Sequence, residues 1–213
     1  IYKLPDSVSD EVGTLVEPLA VAIHAVRQGN VHPGDTVAIV GAGTIGLSTL
    51  LAARAAGASE VYVVDKIKRR GEIASAMGAT AFINLNEGDP VQLIGNLTSG
   101  LGADISFECV GHPDTPQLAV DLARRGGTTV IVGVFEKPSS FHFQSVMFNQ
   151  KTIVGSPIYV HEAKTAIALI ADKRIAPHRL ITSKVPLKDA VEKGFEKLIE
   201  SKEDNIKILL QIA

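Results

Sequence analysis

Hydrophobic and polar positions along this chain follow two alternating rhythms. From Thr36 onward, short runs of β-branched and apolar residues are separated by longer stretches with helical spacing. Thr36–Val40 is the first run, set between the turn signal Pro33-Gly34-Asp35 and Gly41. Val61–Val64, Thr80–Ile83, Asp104–Phe107 and Thr128–Val132 supply four more. Between them the spacing predicts helices over Thr44–Ala56, Lys68–Met77, Pro90–Thr98 and Thr115–Arg124, with Gly57 and Gly78 as stops. Strands apolar at consecutive positions suit a sheet covered on both faces. Their alternation with helices predicts parallel βαβ units, an α/β chain with a doubly wound parallel sheet.

Beyond Val134 the rhythm loosens. Thr152–Ser156 reads as a sixth strand, followed by a helix from about His161 to Asp172. Then Ile181–Val185 is strand-like, and Leu187, Val191, Phe195, Leu198 and Ile199 recur at helical spacing. Ile206–Leu210 closes as a strand. Ahead of the sheet, Pro18 suits the first turn of a helix running to Gln28. Three parts follow: a leader over 1–30, the sheet unit over 31–180 and a tail over 181–213.

Composition narrows the function classes. With 46% hydrophobic and 21% charged residues and a net charge of −2, there is no basic surface of the kind that binds nucleic acid. No apolar run reaches the roughly 20 residues of a membrane helix, and no signal-peptide pattern opens the chain. The single cysteine, Cys109, forms neither an internal disulfide nor a cysteine metal cage, which favours a reducing, cytoplasmic setting.

Gly41, Gly43 and Gly46 form G-x-G-x-x-G directly after the first strand and at the start of a helix. The first glycine permits the tight turn, the second lets backbone approach a pyrophosphate, and the third allows close helix–strand packing. The helix N-terminus adds free N–H groups and a positive dipole end. Asp65 ends the second strand 19 residues after Gly46, near the distance of a ribose-binding acid. The pattern is that of a Rossmann dinucleotide site. Asp65 accepts hydrogen bonds from ribose hydroxyls and repels a 2′-phosphate, which favours NAD over NADP, although Lys66, Lys68, Arg69 and Arg70 offset that repulsion. Loops after later strands line the same cleft: Cys109-Val110-Gly111, Val132-Gly133-Val134 and Gly155-Ser156-Pro157.

The chemistry of hydride transfer is less visible. The six histidines are scattered, and His161-Glu162 opens an H-E-x-x-H pattern that Thr165 interrupts. Tyr159 and Lys164 are not a one-turn pair. Cys109, at the end of an apolar strand, reads as a buried inert thiol.

Leu15-Val-Glu-Pro-Leu-Ala-Val-Ala-Ile-His-Ala25, the turn His32-Pro-Gly-Asp35 and the glycine loop together resemble the medium-chain zinc-dependent alcohol and polyol dehydrogenases. The tail Ser183–Phe195 and Glu203–Leu209 look most like the (R,R)-2,3-butanediol dehydrogenase branch, with sorbitol dehydrogenases nearby. The resemblance implies a cofactor domain joined to a GroES-like catalytic domain, to which the tail returns. It implies zinc held by a Cys, a His and a Glu outside this chain, and a longer parent of which these residues are the cofactor-binding portion. That portion alone is expected to bind NAD without oxidising alcohol.

Carried onto this sequence, Glu17 matches the glutamate beside the catalytic zinc; read alone it is a first-turn acid favoured by the helix dipole. Gly43, Thr44 and Ile45 match the pyrophosphate loop, Asp65 the ribose acid and Arg70 the adenosine-side base. Val132, Gly133, Val134, Ser156, Pro157 and Ile158 match segments beside the nicotinamide, and Val110, in the loop after the fourth strand, is expected to border the same cofactor. Sorbitol dehydrogenases carry Arg before Tyr where this chain has Ile158-Tyr159, which favours a smaller, less polar alcohol or diol such as 2,3-butanediol. The family also implies a homodimer or homotetramer through the sixth-strand edge. Two other readings stand beside this one: a zinc-independent quinone or enoyl reductase, and a non-catalytic NAD-sensing module.

Overall fold

The computed structural model describes residues 1–212. Two leading helices, α1 (Asp10–Gly13) and α2 (Val16–Gln28), precede β1 (Thr36–Val40), α3 (Thr44–Ala56), β2 (Glu60–Asp65), α4 (Lys68–Ala76) and β3 (Ala81–Asn84). The second half continues with α5 (Pro90–Leu97), β4 (Ala103–Glu108), α6 (Thr115–Leu122), β5 (Ala123–Ile131), α7 (Phe143–Met147), β6 (Thr152–Gly155) and α8 (Glu162–Ala171). The six strands form one sheet in the order β3-β2-β1-β4-β5-β6, every neighbouring pair parallel. After β3 the chain crosses to the far side of β1, so the order reverses between β1 and β4. In such sheets the ligand crevice opens beyond the strand carboxyl ends at that reversal.

Alternation along β1 shows how the sheet is covered twice. Val37 and Ile39 enter one core with Leu19, Leu47, Leu50, Phe107 and Val130, which lies under α2, α3 and α8. Ala38 and Val40 enter the other with Tyr62, Ile83, Ile94 and Leu122, under α5 and α6. Both faces being apolar explains the unbroken hydrophobic strands. Helix α3 ends where Gly57 adopts φ +104°, a left-handed cap that suits glycine.

Two local expectations change. Helix α6 stops at Leu122, and Ala123 already pairs with Ala103. The cause is the Asp104 carboxylate, which accepts from Thr36 N at 2.8 Å and from Arg124 Nε at 2.5 Å, drawing residues 123–124 onto the sheet. The tail strands β7 (Ile181–Pro186) and β8 (Lys207–Gln211) form their own two-stranded parallel sheet. Between them lies no continuous α-helix but a 3₁₀ turn (Leu187–Asp189), a π turn (Ala190–Phe195) and α9 (Glu196–Glu200). Buried Gly194 faces Val185 and Leu210 of the small sheet, so the apolar stripe of Leu187, Val191, Phe195, Leu198 and Ile199 points outward and is exposed. No helix among the described residues is long and apolar enough to cross a membrane.

Phe107, fully buried in the first core, bridges β4 to α2 through the groove at Gly29. Replacing it by alanine is expected to cost about 3–5 kcal/mol of stability, read as a lower urea midpoint with an unchanged slope.

Candidate dinucleotide site

The cleft is built on the β1–α3 turn. Gly41 has φ +103°, and a Cβ there would lie 2.7 Å from the Val110 side chain. A Cβ on Gly46 would run into the Gly41 carbonyl, so helix and turn can approach this closely only without one. Gly43 has open space where its side chain would be, a cradle that fits a phosphate against backbone. It also caps α3 without a side-chain bond, leaving the first-turn N–H groups of Thr44 and Ile45 to face an anion.

Asp65 is nearly buried at the end of β2. Its Oδ2 accepts from Ala42 N at 2.7 Å and its Oδ1 from Ile67 N at 2.9 Å, so the turn itself holds the carboxylate. Arg70 Nη1 lies 3.9 Å from Asp65 Oδ2, while its Nη2 donates to the Lys202 carbonyl at 2.9 Å. Arg69 pairs with Asp204 at 3.3 Å, and Thr44 Oγ1 donates to the Ile206 carbonyl at 3.1 Å. The tail turn thus closes the cleft wall beside Asp65 and Arg70, a role that no sequence signal had marked. The resulting cavity, ≈ 570 Å³, is lined by Gly41, Gly43, Asp65, Arg70, Val110 and Lys202, among others.

The other end is organised by Glu108, which sequence reasoning missed. It is fully buried at the end of β4. Its Oε1 accepts from Val110 N at 2.8 Å, Gly111 N at 2.9 Å and Thr115 Oγ1 at 2.7 Å. Its backbone carbonyl accepts from Val132 N and Gly133 N. A Cβ on Gly133 would strike both Glu108 Oε2 and Gly111 N, so the loops after β4 and β5 cross in contact. Glu108 closes an apolar strand as Asp65 does, but it lacks the spacing from the glycine loop that marked Asp65. Next door, Cys109 is partly exposed as a residue, but its sulfur lies 3.9 Å from Thr49 Oγ1. Burial pushes its thiol up to about 12, in keeping with an inert group.

Beyond β6, Ser156 is buried while Pro157 and Ile158 are exposed, and Val134 is exposed on the rim. Of the expected nicotinamide-side residues, Val110 joins the main cavity. Val134 lines a separate shallow groove with Val110 and Gly111. Glu17 stands exposed in the first turn of α2. Among the described residues no three His, Cys, Asp or Glu side chains meet as a metal site, so these residues do not by themselves fit a zinc ion. His161-Glu162 builds no metal site either, because Glu162 turns inward to His24 and Arg27.

Comparison with known proteins agrees with this geometry. The model of the zinc-binding dehydrogenase family matches residues 44–172. (R,R)-Butanediol dehydrogenase of Bacillus subtilis is 35% identical over 211 residues, 99% of this chain and 60% of that protein. Its crystal structure superposes with a TM-score of 0.93, covering 100% of this chain and 60% of the other. Mouse sorbitol dehydrogenase is 36% identical over 193 residues, 90% of this chain and 54% of its own length. Two further solved neighbours hold dinucleotides. An Escherichia coli CFT073 alcohol dehydrogenase carries NADH (25% identity, TM-score 0.91, 99% of this chain and 62% of that one). A Sinorhizobium meliloti zinc-binding dehydrogenase carries NADP (29%, TM-score 0.88, 99% and 62%). The chain spans about 60% of the length of the butanediol dehydrogenase it matches. By the family model and the glycine-loop fold it shares with these enzymes, the chain belongs to the zinc-binding dehydrogenase family.

Proposed function

We propose that this chain is the NAD-binding portion of an alcohol or polyol dehydrogenase acting on a secondary alcohol or small diol. The observation that carries this reading is the Asp65 carboxylate, fixed by two backbone N–H groups beside the open Gly43 cradle. An ionised carboxylate offers about four acceptor positions, so with two taken Asp65 retains capacity for both ribose hydroxyls. The α3 first turn holds the pyrophosphate, and Arg70 borders the adenosine. Val110, Val132, Gly133, Val134, Ser156, Pro157 and Ile158 shape the nicotinamide end and keep water from it. Bound NAD supplies the hydride acceptor. Exposed Ile158, where sorbitol dehydrogenases carry arginine, gives that end an apolar wall suited to a 2,3-butanediol-like substrate.

Glu17 is proposed to face the zinc of the complete enzyme, whose remaining ligands lie outside these residues. The leader (1–30) is proposed to link this unit to the catalytic domain, and the tail (181–213) to pack on that domain, which would cover the exposed stripe from Leu187 to Ile199. The outer edge of β6, with Ile153 42% exposed, is proposed to pair with a second copy in a homodimer or homotetramer. Lys66, Arg70 and Lys202 lining the cleft with Asp65 favour NADP as a second reading.

Three measurements check these proposals. In titrations followed by nicotinamide fluorescence, NADH is expected to bind at least about tenfold more tightly than NADPH, about 1.4 kcal/mol. Asp65→Ser is expected to shrink that preference; equal affinities in the unmodified chain would favour NADP or dual use. Gly46→Ala is expected to abolish NADH binding while far-UV circular dichroism stays near that of the parent, because the added methyl displaces the pyrophosphate turn. Sedimentation velocity is expected to show a dimer or tetramer, reduced to monomer by Ile153→Lys; a monomer throughout overturns the edge proposal.

A further inference from the structure

Glu162 is a carboxylate buried where nothing in the dinucleotide reading requires one. It is 5% exposed, at the start of α8. Its Oε2 accepts from Val160 N at 2.8 Å and His161 N at 2.9 Å, both in the segment that leads from β6 into α8. Its Oε1 accepts from Arg27 Nη1 at 3.0 Å and lies 3.2 Å from His24 Nδ1, both residues of α2. Arg27 Nη2 reaches Thr165 Oγ1 at 3.4 Å, one turn further along α8, and Gln28 Nε2 lies 3.4 Å from His24 Nε2. Two residues before the Val160 contact, Ile158 has φ +34°, a backbone region that a β-branched residue enters only when its surroundings hold it there.

Stability alone does not account for the arrangement. α2 and α8 already share an apolar core through Ala22, Val26, Ala166 and Ile170, and a buried ion pair adds little net stability over such packing. What the carboxylate adds is direction: one group ties α2, α8 and the intervening loop in a single geometry.

We propose that Glu162 is a positioning residue that holds the loop of residues 156–161 at the nicotinamide end of the cleft, with Arg27 and His24 as its anchors. The proposal rests on the dinucleotide reading above. The loop follows the carboxyl end of β6, on the side of the sheet where a dinucleotide lies. The grip on Val160 and His161 keeps Ile158 turned outward, 66% exposed, as a wall for the nicotinamide or its alcohol. Burial by itself would raise the Glu162 carboxyl. The Val160 and His161 N–H groups and the His24 and Arg27 side chains outweigh it and bring it down to about 2. The two backbone N–H groups and Arg27 hold the carboxylate in its charged form. The same helix carries Glu17 seven residues before His24, about 10 Å along the axis, so the clamp also sets the spacing between that acid and the loop.

The test compares NADH with ADP-ribose, which lacks the nicotinamide, on the full 213-residue chain. Glu162→Ala is expected to weaken NADH about tenfold by leaving the loop competent roughly a tenth of the time, and to lower the fluorescence of bound NADH. ADP-ribose affinity is expected to stay unchanged. Arg27→Met leaves the Glu162 side chain in place and is expected to show the same split more weakly; Arg27→Lys restores it toward the parent. Should Glu162→Ala fail to fold, Arg27→Met decides. Equal losses for both ligands, or no split in the folded variants, overturn the positioning role. So does an unmodified chain that binds NADH no better than ADP-ribose. An unmodified chain that binds neither overturns the dinucleotide reading instead.

Discussion

The contact between the Gly41 carbonyl and the Cα of Gly46 sets the position of almost everything around the cleft. It allows α3 to lie against β1 with its N-terminus at the sheet edge, where partial positive charge is directed into the crevice. The same tight turn puts Ala42 N within reach of Asp65, and Gly41 N donates to Val64 on the neighbouring strand at 2.8 Å. The start of α3 and the Asp65 carboxylate are therefore parts of one hydrogen-bonded corner. Their spacing is set by backbone N–H groups that hold the Asp65 carboxylate in place.

A common device orders the carboxyl edge of the sheet. Asp65, Glu108 and Glu162 are each nearly or fully buried, and each accepts from backbone N–H groups of the loop beside it. A loop at a strand end exposes N–H groups that the ladder no longer satisfies, and a buried carboxylate can bind two or three of them from one place. Each acid thereby holds a different loop at that edge: the turn after β2, the loop after β4, and the segment after β6. The tail adds a fourth support by accepting from Arg70 and Thr44 through its carbonyls.

The sheet was legible because its physics is local and periodic. Thr36–Val40 and Thr44–Ala56 coincide with the observed elements, since apolar runs bounded by glycine leave little choice of boundary. The glycine loop and Asp65 were legible because their spacing reflects one rigid βαβ unit. What escaped were contacts between segments far apart in sequence. Asp104 drawing Arg124 onto the sheet shortened a helix that propensity alone extended, and the tail turn on Arg70 has no local signature. Where the apolar spacing from Leu187 to Ile199 had suggested one regular helix, the chain winds as a 3₁₀ turn, a π turn and a short α-helix with Gly194 buried against the small sheet. Glu108 and Glu162 resemble ordinary surface acids until the fold surrounds them.

The separation between Arg27 and Glu162, 135 residues, has a kinetic meaning. A contact of that span closes only after the intervening strands have paired, because the entropy of ordering so much chain must first be offset by the sheet. The β1–α3 corner, made of neighbouring segments, can form early. A folding chain would then close the glycine corner of its cleft before the far wall is fastened, so the cleft takes its final shape only as α2 and α8 dock.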